Sequence, residues 1–153
     1  MVDGKKPERS GFLGGGVRLG TCCDASLWVM DNHSIVFSDF YVESGQQFVK
    51  MEGDGSLPAG RVVIGGAKLE IDPKADRNSI EINNYKGDLI TGSYQYYPGN
   101  PLHKFTQTGD APFALTLWGS CFYNCKPQIT LGSKGSSATL GNNLVVLDAK
   151  DNN

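Results

Sequence analysis

The sequence predicts an all-β protein, and three observations lead to that prediction. Glycine accounts for 20 of the 153 residues, nearly twice its usual share of about 7%. Short apolar runs alternate with turn sequences such as GDGSLPAG, DPKADRN and GSKGSS. No stretch of helical length repeats with a helical period, whereas several runs alternate with period two.

The elements follow in order along the chain. Residues 1–16 are polar and then glycine-rich, which predicts a flexible N-terminal arm. Residues 17–148 are expected to form a single domain, interpreted as a fragment of a larger protein, and residues 149–153 a polar tail. The alternation is clearest near the centre, where Ile80 and Ile82 are expected to face the interior while Glu81 and Asn83 face solvent.

The position of glycine within these runs favours a winding fold. Thr-Leu-Gly fragments recur, and Asn83–Asn84 and Asn142–Asn143 suit bends because asparagine tolerates positive φ. Short similar pieces with Gly and Asn at the bends are typical of stacked coils. The prediction is a right-handed parallel β-helix of about five or six coils, each of roughly 20–30 residues. A β-sandwich or jelly roll is the alternative.

Four runs, SIVFSDFYVE, SIEINNYKGDLITGS, FALTLWGSCFYN and SATLGNNLVV, resemble coils of the pectate-lyase-like β-helix superfamily. That superfamily includes polysaccharide lyases, glycoside hydrolases and phage tailspikes. The resemblance covers residues 17–148 and includes no catalytic signature. It implies a polysaccharide partner, an extracellular or virion-surface location, and a homotrimer as one form of assembly.

Charge and length exclude several other classes of function. The 14 Lys and Arg against 16 Asp and Glu give a formal net charge of −2, which argues against nucleic-acid binding. No apolar run reaches the roughly 18 residues of a membrane span, and the first residues lack the apolar segment of a signal peptide. No nucleotide-binding glycine pattern occurs, so no cofactor is expected.

Cysteine and histidine give no metal motif. Cys22 and Cys23 are adjacent, and on a strand they would point to opposite faces. Cys121 and Cys125 would lie roughly 13 Å apart on a straight strand. Buried thiols, disulfides and a metal site all stay open, although the two histidines are too few for a three-histidine centre.

Paired carboxylates are the first lead to chemistry, because glycosidases use two of them as acid and base. Glu70 and Asp72 share a face at roughly 6.6 Å, the lower edge of the inverting spacing of about 6.5–9.5 Å. Asp39 and Glu43 share a face too, but at roughly 13 Å. Glu70 and Asp72 are therefore the predicted catalytic residues, with surface solubility as the alternative explanation.

Aromatic residues are the second lead, since sugar rings present apolar faces that stack on Trp and Tyr. Tyr94 and Tyr96 share a face beside a loop, and Trp118 opposes two leucines that are expected inside. These three are the predicted sugar-binding residues; packing between coils or between subunits is the alternative. Trp28 follows an apolar stretch and is predicted to lie in the core.

Polar uncharged residues, among them Thr91, Thr106 and Gln107, are expected on the outer faces and suit glycan recognition. Three functions remain: a carbohydrate-processing β-helix, a non-catalytic receptor-binding or structural segment of a viral fibre or tailspike, and a sandwich-type binding domain. A polysaccharide-interacting β-helix is favoured. The sequence leaves catalysis open; an enzyme would be a glycoside hydrolase or a polysaccharide lyase.

Overall fold

The computed structural model describes the central part of the chain with several gaps. The described residues are 11–14, 17–19, 25, 27–45, 47–71, 80–92, 94–98, 102–119, 121–123, 126–141 and 145–147. Side chains are described for residues 25, 27–41, 47–70, 80–92, 104–119 and 128–141.

These residues form strands and turns, and none of them lies in a helix. The strands, in chain order, are β1 (Gly11–Gly14), β2 (Val17–Leu19), β3 (Leu27–Met30), β4 (Ser34–Gly45), β5 (Val49–Glu52), β6 (Gly60–Ile71), β7 (Ile80–Asn83), β8 (Gly87–Thr91), β9 (Tyr94–Pro98), β10 (Leu102–Thr108), β11 (Phe113–Leu117), β12 (Cys121–Tyr123), β13 (Lys126–Leu131), β14 (Ser137–Leu140) and β15 (Val145–Leu147). The all-β prediction is confirmed.

Every strand pair within the described residues is parallel, which confirms the β-helix and excludes the sandwich. One sheet has five strands in the order β13-β10-β7-β5-β3. The other has ten strands, with β14-β11-β8-β6-β9-β12-β15 as its main path and β4 joining β1 and β2 to β6. Each strand therefore pairs with its counterpart from the next coil, as a parallel solenoid requires.

The ten-stranded sheet forms two sides of the solenoid, because β4 and β6 each pass through both. Residues 60–64 of β6 pair with β8, whereas residues 67–71 pair with β9. The five-stranded sheet supplies the third side. The right-handed sense of winding, which nearly all parallel crossovers adopt, stays a prediction.

The core follows the predicted alternation of inward and outward side chains. Ile80 and Ile82 are buried, Glu81 is half-buried and Asn83 is exposed. The same period buries alternate residues of β6, β8 and β11, and buried aromatic rings pack edge to face in the interior. The largest fully buried side chains are Tyr85, Phe40, Phe48, Phe105, Phe113, Met51, Ile64, Leu69 and Ile80.

The closed core comprises about three turns, fewer than the five or six coils expected from the length. Along the five-stranded sheet, Val29 pairs with Met51, Met51 with Ile82 and Ile82 with Gln107. The estimate from length is too high because not every coil-length segment adds enclosed core. In β14, for example, the first three residues are exposed.

Asparagines bend the chain at the corner where it passes from the five-stranded sheet into the side of the ten-stranded sheet that contains β8. Asn84 has φ 50°, which confirms the predicted bend at Asn83–Asn84, whereas Asn142–Asn143 lies outside the described residues. The Asn84 Oδ1 atom accepts hydrogen bonds from the amides of Asp110 and Ala111, each at 3.2 Å. The side chain thus ties its own turn to the turn of the next coil.

Two polar residues predicted on the outer faces are buried instead. The Gln107 side chain lies inside the same corner, where its Oε1 accepts from the amides of Gly132 and Ser133, each at 2.8 Å. Thr91 is fully buried, and its Oγ1 has no hydrogen-bond partner among the described residues. Strand parity alone explains both positions, because each pairs with inward-facing apolar residues of neighbouring strands.

Strand β1 lies within residues 1–16, the segment that was predicted to be a flexible arm. Residues 1–10 and 148–153 lie outside the described part of the chain. The predicted domain boundaries therefore stay a prediction. A search of the described residues for a helix long and apolar enough to cross a membrane finds none.

Candidate functional site

A column of glycines marks the corner between the two sides of the ten-stranded sheet. The amides of Gly92, Trp118 and Gly141 each donate to a carbonyl one coil earlier, at 2.8, 2.8 and 2.6 Å. Gly65 precedes Gly92 in this column, because a Cβ on Gly92 would meet the Gly65 carbonyl oxygen. Trp118 is therefore stacked between glycines of the neighbouring coils.

The geometry of the corner explains why glycine occupies these positions. A Cβ added to Gly65 would lie against the backbone carbonyl of Ser38, which cannot move without distorting a strand. Gly66, the next residue, has more room: its added Cβ would come to 2.9 Å from the Asp39 Oδ1, the end of a flexible side chain. The Gly-Gly pair thus turns the chain from one side of the solenoid to the next.

Trp118 is exposed on this corner, as its parity in the strand predicts. Its fractional exposure is 48%, whereas Leu115 and Leu117 are buried. The indole lies over Gly141, where an added Cβ would be 2.8 Å from the Trp118 Cε3. Within the described part of the chain, no hydrogen-bond acceptor is found for the indole N–H.

A carboxylate lies beside the far end of this column, one residue after Ser38, which is the residue opposite Gly65. Asp39 pairs in register with Gly66 and is exposed. We call Asp39, Gly65, Gly66, Gly92 and Trp118 the corner strip. Asp39 and Trp118 are three strand steps apart, about 14 Å at the usual strand spacing, and the backbone between them carries no described side chain. The strip is long enough to contact a short oligosaccharide segment.

Beside the corner strip, the outer surface is apolar and then charged. Val36, Val63 and Ile90 form a row in register across neighbouring coils, with Val36 38% exposed. Farther from the corner, Arg61 forms a bidentate pair with Asp88 at 2.8–3.0 Å. The hydrogen bonds to Asp88 raise the pKa of the Arg61 guanidinium. The homotrimer that the superfamily resemblance implies stays a prediction.

The predicted catalytic pair is only half described. Glu70 points outward from β6, and its carboxylate forms an ion pair with the Lys68 Nζ at 3.1 Å. The same ammonium lies 5.1 Å from the centre of the Tyr41 ring. Asp72 lies outside the described residues, so the separation of the two carboxylates is not defined. Their catalytic role stays a prediction.

The predicted sugar-binding tyrosines lie on β9. The register pairs Tyr94 with Ala67 and Tyr96 with Leu69, both of which are buried. The tyrosine side chains lie outside the described part, and their role in binding stays a prediction. Among the predicted site residues whose side chains are described, Trp118 lies on the corner strip and Glu70 does not.

Trp28 is not in the core, and that prediction is wrong. It is 44% exposed, because its neighbour Val29 faces inward and the two alternate along β3. The Trp28 Nε1 donates to the Glu52 Oε2 at 2.8 Å, and the Lys50 Nζ lies 4.6 Å from the ring centre. Lys50 and Glu52 are themselves paired at 3.0 Å. We call these three residues the Trp28 cluster.

Neither a metal site nor a reactive thiol is present among the described side chains. They contain no group of three His, Cys, Asp or Glu side chains that could hold an ion. Cys22, Cys23 and Cys125 lie outside them; Cys121 is in β12, with its side chain not described. The position of Asp39 opposite Gly66 was missed because the sequence does not show which residues oppose the Gly-Gly pair.

Comparisons with protein families, curated proteins and solved structures find no match to this chain. The fold and the corner strip therefore rest on the chain's own geometry.

Proposed function

We propose that the chain is a polysaccharide-binding β-helix domain, similar in architecture to the pectate-lyase-like superfamily, and that it binds a glycan along the corner strip. The observation that carries this proposal is the exposed indole of Trp118 at the end of a stretch of glycine backbone. Trp118 is the stacking residue, and Asp39 accepts hydrogen bonds from sugar hydroxyls.

The physical argument begins with the indole. A sugar ring offers an apolar C–H face that packs on an aromatic ring, while the indole N–H can donate to a hydroxyl. The Trp118 ring rests on Gly141, which limits its freedom before the ligand arrives. A side chain that is already held loses less entropy on binding.

The glycines contribute close approach. At Gly65 and Gly92 a carbonyl of the preceding coil occupies the place of a Cβ, so no side chain rises above the backbone there and a ligand can approach it closely. A flat sugar chain can then contact Trp118 and Asp39 together.

The corner strip favours binding over cleavage. Glycoside hydrolysis requires two carboxyl groups on opposite sides of the scissile bond, and the strip contains one, that of Asp39. A hydrolase or lyase that uses Glu70 and Asp72 is a separate hypothesis, which a cleavage assay tests. An extracellular or virion-surface location is part of the proposal because that is where such polysaccharides occur.

The decisive experiment compares two tryptophan variants. Trp118→Ala is expected to weaken binding to the preferred polysaccharide by about tenfold or more, as the loss of a central aromatic contact does. Trp28→Ala is the matched control, because it removes an equally exposed indole from another side of the solenoid. Affinity electrophoresis against a panel of neutral and acidic polysaccharides measures both, with circular dichroism to confirm folding.

Two outcomes would contradict the proposal. Folded wild-type protein that binds no polysaccharide of the panel would exclude glycan binding. Loss of binding in Trp28→Ala with none in Trp118→Ala would remove the corner strip as the site.

A further inference from the structure

We infer that the corner strip selects polysaccharides without carboxylates and disfavours polyuronates, and that Asp39 is the residue that sets this preference. The inference rests on the proposed function, which it extends by naming the chemical class of the ligand.

The position of Asp39 carries the first step. Its Oδ1 lies 2.9 Å from the point that a Gly66 Cβ would occupy, so the carboxylate leans over the glycine backbone on which a ligand would rest. Asp39 is exposed, and no ion pair joins it to a Lys or Arg of the described residues. The carboxylate is therefore directed at the strip and not at a described cation.

The second step concerns Arg61 and Lys68, the two cations described on the strand that carries Gly65 and Gly66, each of which is paired with a carboxylate. Lys68 lies two residues beyond Gly66 on β6, and its ammonium pairs with Glu70 at 3.1 Å. Arg61 pairs with Asp88 at 2.8 Å. Among the described charged side chains of β4 and β6, Asp39 is thus the one without an ion pair, and its carboxylate is the source of negative charge at the strip.

A negative field discriminates between ligands by their own charge. Asp39 accepts charge-assisted hydrogen bonds from sugar hydroxyls, but it repels a uronate carboxylate that comes within a few ångströms. At about 4 Å in water this repulsion weakens affinity by about fivefold, and by more at a protein surface. Salt reduces the effect because the Debye length is about 10 Å at 0.1 M.

The test uses polymers that share a sugar and differ in one group. Polygalacturonate is compared with its methyl ester, and a soluble glucan with the same glucan oxidised at its primary hydroxyls. Wild-type protein is expected to bind the neutral member of a pair at least about fivefold more tightly at low salt. Asp39→Asn is expected to recover about fivefold in affinity for the acidic member, with a smaller recovery at high salt.

Asp110→Asn is the matched control. It makes the same change of charge at an exposed turn residue on another corner of the solenoid, and it is expected to leave the preference unchanged.

The outcomes separate the two proposals. If both members of a pair bind equally well, or if Asp110→Asn acts as strongly as Asp39→Asn, the inference is overturned and the proposed function stands. Tighter binding of the acidic member would also overturn it. If folded wild-type protein binds no polysaccharide of the panel, these pairs included, the proposed function itself fails.

Discussion

The two described tryptophans are almost equally exposed, at 48% for Trp118 and 44% for Trp28, yet their surroundings differ. The Trp28 indole already donates its N–H to Glu52, and the Lys50 ammonium covers one face of the ring. Trp118 rests on Gly141 and has no described acceptor for its N–H. Exposure alone does not distinguish a binding residue from a structural one.

The difference originates in the neighbouring coil. In a parallel solenoid, each outward side chain lies about 4.8 Å from its partner on the next strand, so that partner decides what the ring can still contact. Trp28 pairs in register with Lys50, whereas Trp118 is stacked between Gly92 and Gly141. A glycine partner leaves the face of the indole ring accessible to a ligand, whereas a lysine partner covers it.

The Trp28 cluster has a counterpart on another side of the solenoid. Tyr41 pairs in register with Lys68, whose ammonium lies over the ring and pairs with Glu70. In both clusters, an aromatic residue pairs in register with a Lys on the strand of the next coil. A Glu lies two residues after that Lys on the same strand. The repeat indicates a clamp between successive coils rather than a ligand site.

The largest expected effect comes from the glycine column. Gly65→Ala places a Cβ against the Ser38 carbonyl, and overpacking of this kind costs about 1–3 kcal/mol in the free energy of unfolding. Urea denaturation followed by circular dichroism measures the loss.

Gly66→Ala is the adjacent control, because the atom in its way is the Asp39 carboxylate, which can rotate. Its unfolding free energy is expected to stay within about 0.5 kcal/mol of the wild-type value, as for most surface substitutions. Equal losses of unfolding free energy in the two variants would mean that the close approach of the Ser38 carbonyl is not the reason why Gly65 must be a glycine.

A smaller effect is expected from the Trp28 cluster. Lys50→Met keeps most of the aliphatic chain but removes the ammonium from the Trp28 ring and from Glu52. The free energy of unfolding is expected to fall by about 0.5–1 kcal/mol, less at high salt, while glycan affinity is unchanged. Denaturation at two salt concentrations and a binding assay check both. A tenfold loss of glycan affinity would make the cluster a binding site.

The fold was predictable from the sequence because it depends on local alternation and bend chemistry. Ile80 and Ile82 alternate with polar residues, and Asn84 takes the positive φ that asparagine tolerates. The positions of Trp28 and Gln107 also follow from parity, but other features pointed the other way. The apolar stretch before Trp28 suggested the core, and the polar side chain of Gln107 suggested the surface.

The candidate site was less predictable because it joins residues from successive coils. Trp118 could be placed outside from the leucines beside it, but nothing local shows that Gly141 lies under its ring. The position of Asp39 opposite Gly66 depends on the register between β4 and β6. That register is set by packing over the whole coil, which a single sequence does not reveal.

The smallest expected effect is that of Glu70→Gln. If Glu70 acts as the carboxylate of a clamp, its half-exposed pair with Lys68 contributes at most about 1 kcal/mol, and neither glycan affinity nor release of reducing ends should change. Glu52→Gln is the matched variant, since Glu52 has the same relation to Lys50 and is expected to behave alike or to cost slightly more through its bond to Trp28. A cleavage activity abolished by Glu70→Gln and by Asp72→Asn, but not by Glu52→Gln, would instead establish the predicted carboxylate pair as catalytic. Such a result would place the chemistry on the side of the solenoid that follows the glycine corner, with Trp118 reduced to holding the polymer beside it.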